Sequence, residues 1–369
     1  MRATGGDGRL TGASVAARVP AAWRLRGAPL PAIRRGFCVA IPVGLALISD
    51  FEIESEQAAG LATAAMVCGF IAFDAPARVR VRWQLLWAPV VGLSAALGVL
   101  SSAHTSTAVL AMAAVACACG FLVAVSLRLA VAGLTVTLAL VIAQGVLVSP
   151  DDAGAAFAYG LAGGVGQAAM AALAWLVADR EREPGRFGAL VRAGIAKLRG
   201  AAHRHSAASR HALRFGAAMA IGVAIYRLAG FTDHGYWVPL TILFVLKPEA
   251  HQTTERIAMR AAGTFFGLIL ATLLAELLTE DLIPVTIILV TSVALSYALL
   301  AIQYALFTTA ITVYVVLLTD TLGASPFDAA GERGLGTLLG IVVAALSFRT
   351  YGDHAERRDE HAPEAGARP

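Results

Sequence analysis

The chain has 369 residues, of which 58% are hydrophobic and only 15% charged, and its mean hydropathy is +0.71. A soluble domain carries about 45–50% apolar and about 25% charged residues, so this composition excludes an ordinary soluble enzyme and points to an integral membrane protein. The net charge of +4 is spread over a few loops, and no nucleic-acid module accompanies it.

In chain order, a basic tail (1–33) precedes about twelve apolar segments, each near the length of a membrane helix. The first six cover roughly 34–50, 57–74, 83–101, 105–125, 128–148 and 154–178. The second six cover roughly 212–230, 234–248, 257–277, 282–300, 302–320 and 332–349. Arg34-Arg35-Gly36-Phe37 has the look of a twin-arginine signal, but acidic residues follow its apolar run in place of a cleavage site. It therefore reads as the cytoplasmic start of the first span. Cys38, Cys68, Cys117 and Cys119 all lie in apolar runs and read as small buried hydrophobes, with no zinc or other metal site and no cofactor.

Loop charge alternates. Arg78, Arg80 and Arg82 stand on one connection, Asp151 and Asp152 on another, and a dense basic run from Arg180 to Arg210 occupies the centre. Basic residues thus recur on every second connection, the positive-inside pattern, and place both termini and the central linker in the cytoplasm. Within the linker (179–211), Phe187, Leu190, Val191, Ile195 and Leu198 share one helical face and basic residues take the rest. That is a basic amphipathic helix, suited either to the inner leaflet or to packing on the spans. The C-terminal tail (351–369) is polar and reads as disordered.

Two halves, 34–178 and 212–350, align at an offset of about 175 residues, with Gly60 opposite Gly235, Asp74 opposite Glu249 and Gly92 opposite Gly267. The expected fold is all-α: two parallel six-helix transmembrane repeats. Gly263 and Gly267, Gly160 and Gly164, and Gly336 and Gly340 each put small residues on one helix face, where helices in lipid pack closely.

The run from Tyr236 to Gly267 holds charges where a bilayer tolerates them least. A charge at a helix centre costs about 2.5–3.5 kcal/mol on insertion scales. Pro248 should end one span, with Thr253 or Thr254 capping the next. Lys247, Arg256 and Arg260 then surround a helix N-terminus, a funnel for a carboxylate near the cytoplasmic mouth. Arg256 and Arg260 are four residues apart and share a face. Tyr236 and Trp237 fall one span away, on the opposite side of the membrane, and serve either to stack on an aromatic substrate or to anchor the interface. Glu249 and His251 are the candidate proton carriers.

Tyr236-Trp237, Thr241, Lys247-Pro248 and Arg260-x-x-Gly263-Thr264-x-x-Gly267 resemble the signature of the fusaric acid resistance family of membrane transporters. The resemblance implies export of aromatic carboxylic acids from bacteria through the inner membrane, with Thr241 and Thr264 added to the substrate-binding set. That family is similar in turn to plant malate channels. The chain departs from the pattern in its short central linker, in Lys247 where many members have Gln, and in Pro89 opposite Thr264. The functions left standing are a proton-coupled exporter of small organic anions, a passive anion channel, and an accessory subunit of an envelope efflux system. An enzyme is not expected, since no P-loop, zincin or nucleophile-elbow motif is present. The expected partners are the lipid bilayer, an organic anion and either a second copy or a periplasmic adaptor, with no nucleic acid.

Overall fold

The computed structural model describes residues 30–49, 55–146, 150–178, 206–231, 235–278, 282–300, 302–323 and 325–359. The described residues hold twelve α-helices. In the first half these are α1 (Leu30–Ile48), α2 (Ser55–Gly69), α3 (Ala77–Ser101), α4 (Thr105–Gly120), α5 (Leu127–Val146) and α6 (Ala153–Ala178). In the second they are α7 (Ala207–Leu228), α8 (Trp237–Val245), α9 (Ala250–Leu277), α10 (Leu282–Leu300), α11 (Tyr304–Thr321) and α12 (Pro326–Asp359). Most of the basic tail and of the central linker lies outside the described residues, so the expected amphipathic helix does too. Within the expected C-terminal tail, α12 continues to Asp359.

Each helix falls on one of the twelve expected apolar segments, but twelve crossings do not follow. Eight helices are long and apolar enough to span a bilayer: α3 to α6 and α9 to α12. The segment expected to cross at 234–248 forms only the nine residues of α8, about 13 Å at 1.5 Å per residue. Eight of those nine are buried, so their apolar character serves protein contact, not lipid. The 15 residues of α2 are likewise short for a hydrocarbon core of about 30 Å. Leu45, Leu93, Leu97, Leu110, Phe265, Phe266 and Leu273 stay exposed around the outside, as surfaces facing acyl chains do and as soluble surfaces rarely do. The chain is thus an all-helical, multi-pass membrane protein. Cys68 is the one buried cysteine, and the other three are half-buried.

The helix pairings fall into matching sets. In the first half α3 packs on α6 and α5, α2 on α6 and α1; in the second α9 packs on α12 and α11, α8 on α12 and α7. Between halves, α4 packs on α7 and α10 on α1.

The glycines sit where these pairs touch. A Cβ on Gly263 would strike the Ala305 carbonyl oxygen, and one on Gly267 would lie 2.6 Å from Thr312 Cβ, both on α11. Gly336 and Gly340 face Trp237 and Thr241 on α8, where a Cβ would come within 2.6 Å of either Cβ. Gly160 faces Gly92, with 2.5 Å between an added Cβ and the Gly92 Cα, and Gly164 faces Ala88.

The connection from α8 to α9 departs from expectation. Pro248 disfavours helix at the residue before it, and the chain is already extended at Leu246. Helix α9 then starts at Ala250, ahead of the expected Thr253 cap. Thr253 Oγ1 instead accepts the Lys247 N–H at 2.9 Å, and Arg214 Nη2 donates to the carbonyls of Lys247 (2.8 Å) and Pro248 (2.9 Å). The extended segment is held by side chains because no helix ladder satisfies it.

Candidate functional site

A central cavity of about 400 Å³ opens among α2, α5, α8, α9, α11 and α12. Its wall is mainly apolar and aromatic: Phe70 directly follows α2, Trp237, Leu240 and Phe244 come from α8, and Phe307 and Tyr314 from α11. Helices α2 and α8, the two short ones, both border it, and their C-terminal ends meet through Phe70 and Phe244, ring centres 6.4 Å apart.

Two guanidinium groups enter this wall. Arg260, on α9, is 1% exposed, and its central carbon lies 5.4 Å from the Phe244 ring centre. Its Nε and Nη1 are buried and meet no hydrogen-bond acceptor. Arg333, on α12, is 2% exposed and lies 4.3 Å from the Trp237 ring centre. Its Nε and Nη2 donate to Thr312 Oγ1 at 3.3 and 3.1 Å, while its Nη1 meets no acceptor. Among the described residues that line the cavity, the one carboxylate is Glu56, exposed in the first turn of α2. A ring face returns about 0.5–2 kcal/mol per cation. Desolvating a charge costs several kcal/mol. The arginines are therefore short of negative charge, and an anion entering the cavity would supply it.

A second chamber of about 570 Å³ is lined by His211, Lys247, Glu255, Arg256 and Tyr304, among others. Burial, with Arg256 close by, pushes the Lys247 ammonium down to about 8. Arg256 lies 4.1 Å above the Tyr304 ring. Tyr304 stacks on Phe307 at 5.6 Å, and Phe307 stands 6.2 Å from Phe244 and 6.1 Å from Phe70. Tyr304 lines this second chamber, and Phe70, Phe244 and Phe307 line the first.

The expected site residues therefore divide. Arg260 lines the central cavity, while Lys247 and Arg256 line the second chamber. Although Arg256 and Arg260 are one turn apart on α9, they serve different chambers. Tyr236 and Trp237, expected across the membrane from the cations, border the same cavity as Arg260, because α8 is too short to carry them away. Thr241 and Thr264 are buried outside its lining, and Thr241 is packed beneath Gly340. Glu249 accepts a hydrogen bond from Gln252 (2.9 Å), and His251, 77% exposed, contacts Glu255 at 3.3 Å. Neither lines a chamber. Among the described residues, no three His, Cys, Asp or Glu side chains gather as a metal site requires. Sequence reasoning missed Arg333. The signal was present, an arginine two residues past Gly331, but it fell at the expected start of a span, where a charge needs no explanation.

Residues 219–347 match the family model described as fusaric acid resistance protein-like. That match covers about a third of the chain, all of it in the second half. The fusaric acid resistance-like region contributes Tyr236, Trp237, Arg260 and Arg333, while Phe70 and the α2 wall come from outside it. The chain is 34% identical over 145 residues to inner membrane protein YccS of Escherichia coli (strain K12), a match covering 39% of this chain and 20% of that protein. It is 29% identical over 150 residues to the uncharacterized protein slr1298 of Synechocystis, covering 40% of this chain and 20% of the relative. An uncharacterized Haemophilus influenzae protein is 31% identical over 141 residues, covering 38% and 19%. The matched region thus spans about a fifth of these relatives. No solved structure matches the chain.

Proposed function

We propose that this chain is a bacterial inner-membrane transporter, not an enzyme, that exports small organic anions, aromatic carboxylates foremost, at the expense of the proton gradient. The observation that carries this reading is the pair of buried arginines, Arg260 and Arg333, with unpartnered N–H groups in a cavity walled by aromatic rings. Guanidinium forks bind carboxylates bidentately, and ring faces accept an aromatic body. The fusaric acid resistance-like region and the likeness to an inner membrane protein support the location and the class. The second chamber, with Lys247 and Arg256, would gather anions at the cytoplasmic mouth.

In this reading the twelve helices form two six-helix halves of like orientation, with both termini cytoplasmic. The matching helix pairings and the reciprocal contacts of α4 with α7 and α10 with α1 favour the two halves. The alternation of basic loops favours the orientation. Loading proteoliposomes with benzoate and following its release under a pH gradient tests the reading. Wild-type release that Arg260→Gln leaves intact would remove the site.

One observation favours a second reading, a passive anion channel: the candidate proton carriers Glu249 and His251 line neither chamber. Flux under a membrane potential alone, with equal pH on both sides, selects the channel. Flux that requires the pH gradient selects the exporter.

A further inference from the structure

We propose, resting on the anion-transport reading above, that the central cavity is built for a dianion, one aromatic ring carrying acidic groups at opposite ends, rather than for a simple monocarboxylate. Trp237, Leu240 and Phe244 all line the cavity and succeed one another along α8 at spacings of three and four residues, which places them on one helix face. Trp237 and Phe244 stand seven residues apart, about 10 Å along the axis at 1.5 Å per residue. Each carries a guanidinium over its ring, Arg333 at 4.3 Å and Arg260 at 5.4 Å. Leu240 stands between them on α8 and adds apolar surface to the same lining.

The charge balance points the same way. Arg333 spends two donors on Thr312 Oγ1 and keeps Nη1 unpartnered, while Arg260 keeps Nε and Nη1. Both guanidiniums are nearly wholly buried, whereas the cavity's carboxylate, Glu56, is exposed. A monoanion pairs one guanidinium and leaves the other buried and uncompensated, which is costly. A ligand with a carboxylate at each end pairs both, and its ring takes the place of water against Leu240. Para carboxylates point in opposite directions, toward the two ring-bound cations spaced along α8, whereas ortho carboxylates share one edge of the ring.

The test is calorimetric titration of the purified full-length chain with benzoate, phthalate, isophthalate and terephthalate. Terephthalate is expected to bind at least about tenfold more tightly than benzoate, and more tightly than phthalate, at one molecule per chain. Arg333→Gln is expected to bring the terephthalate-to-benzoate ratio close to one, and Arg333→Lys to keep part of the preference by retaining the charge. Should Arg333→Gln fail to fold, the wild-type ranking of the three isomers still decides. Benzoate binding as tightly as terephthalate, or two benzoates binding per chain, overturns the dianion and leaves the anion reading standing. Failure of all four acids to bind overturns both.

Discussion

At the scale of single residues, the proposed function rests on two buried arginines, Arg260 and Arg333, with unpartnered N–H groups. Replacing Arg260 by Gln keeps its bulk and removes its charge. Loss of one side of a buried charged contact costs about 2–5 kcal/mol, so the half-saturating anion concentration is expected to rise about 30-fold or more, measured as efflux from proteoliposomes with membrane insertion unchanged. Lys247 gives a pH signature. An ammonium whose pKa is lowered to about 8 is charged below that pH and neutral above it. Uptake of anions into the second chamber is therefore expected to weaken as pH rises through 8, and Lys247→Met to flatten that profile, with initial rates measured from pH 6.5 to 9. Arg260 was legible in the sequence because a charge inside an apolar run demands a reason. Arg333 was not, since only the fold shows that its place at the head of α12 is a buried one. Glu249 and His251 line neither chamber, because titratable character says nothing about which side of a helix end faces a cavity.

At the scale of elements, hydropathy located all twelve helices but not their lengths or surroundings. The apolar run Trp237–Leu246 looks the same whether lipid or protein covers it, and here protein does. The two glycine environments on α12 separate contact from mere presence. Gly331 has nothing within 4 Å of an added Cβ, whereas a Cβ on Gly340 would lie 2.6 Å from Thr241 Cβ. Gly331→Ala is therefore expected to be neutral or to stabilise by up to about 1 kcal/mol through helix propensity. Gly340→Ala is expected to destabilise by about 1–3 kcal/mol through overpacking. Thermal unfolding of both variants in detergent checks the contrast.

At the scale of the whole molecule, a row of aromatic rings runs from the lining of one chamber to that of the other. Phe307 touches the ring clusters on both sides, so Phe307→Ala is expected to raise passive anion leak several-fold in proteoliposomes without a gradient. Unchanged leak would show that the rings do not seal the path. The cross-packing of α4 on α7 and α10 on α1 was not legible in the sequence, because residue spacing along a chain carries no information about which distant helices meet.

Gly336 and Gly340 seat α12 directly on α8, and Gly263 and Gly267 seat α9 directly on α11. Arg333 consequently rides with the first pair of helices and Arg260 with the second. Any sliding of one tightly joined pair past the other must widen or narrow the gap between the two positive charges, and a solute bridging that gap would feel the motion as a change in grip.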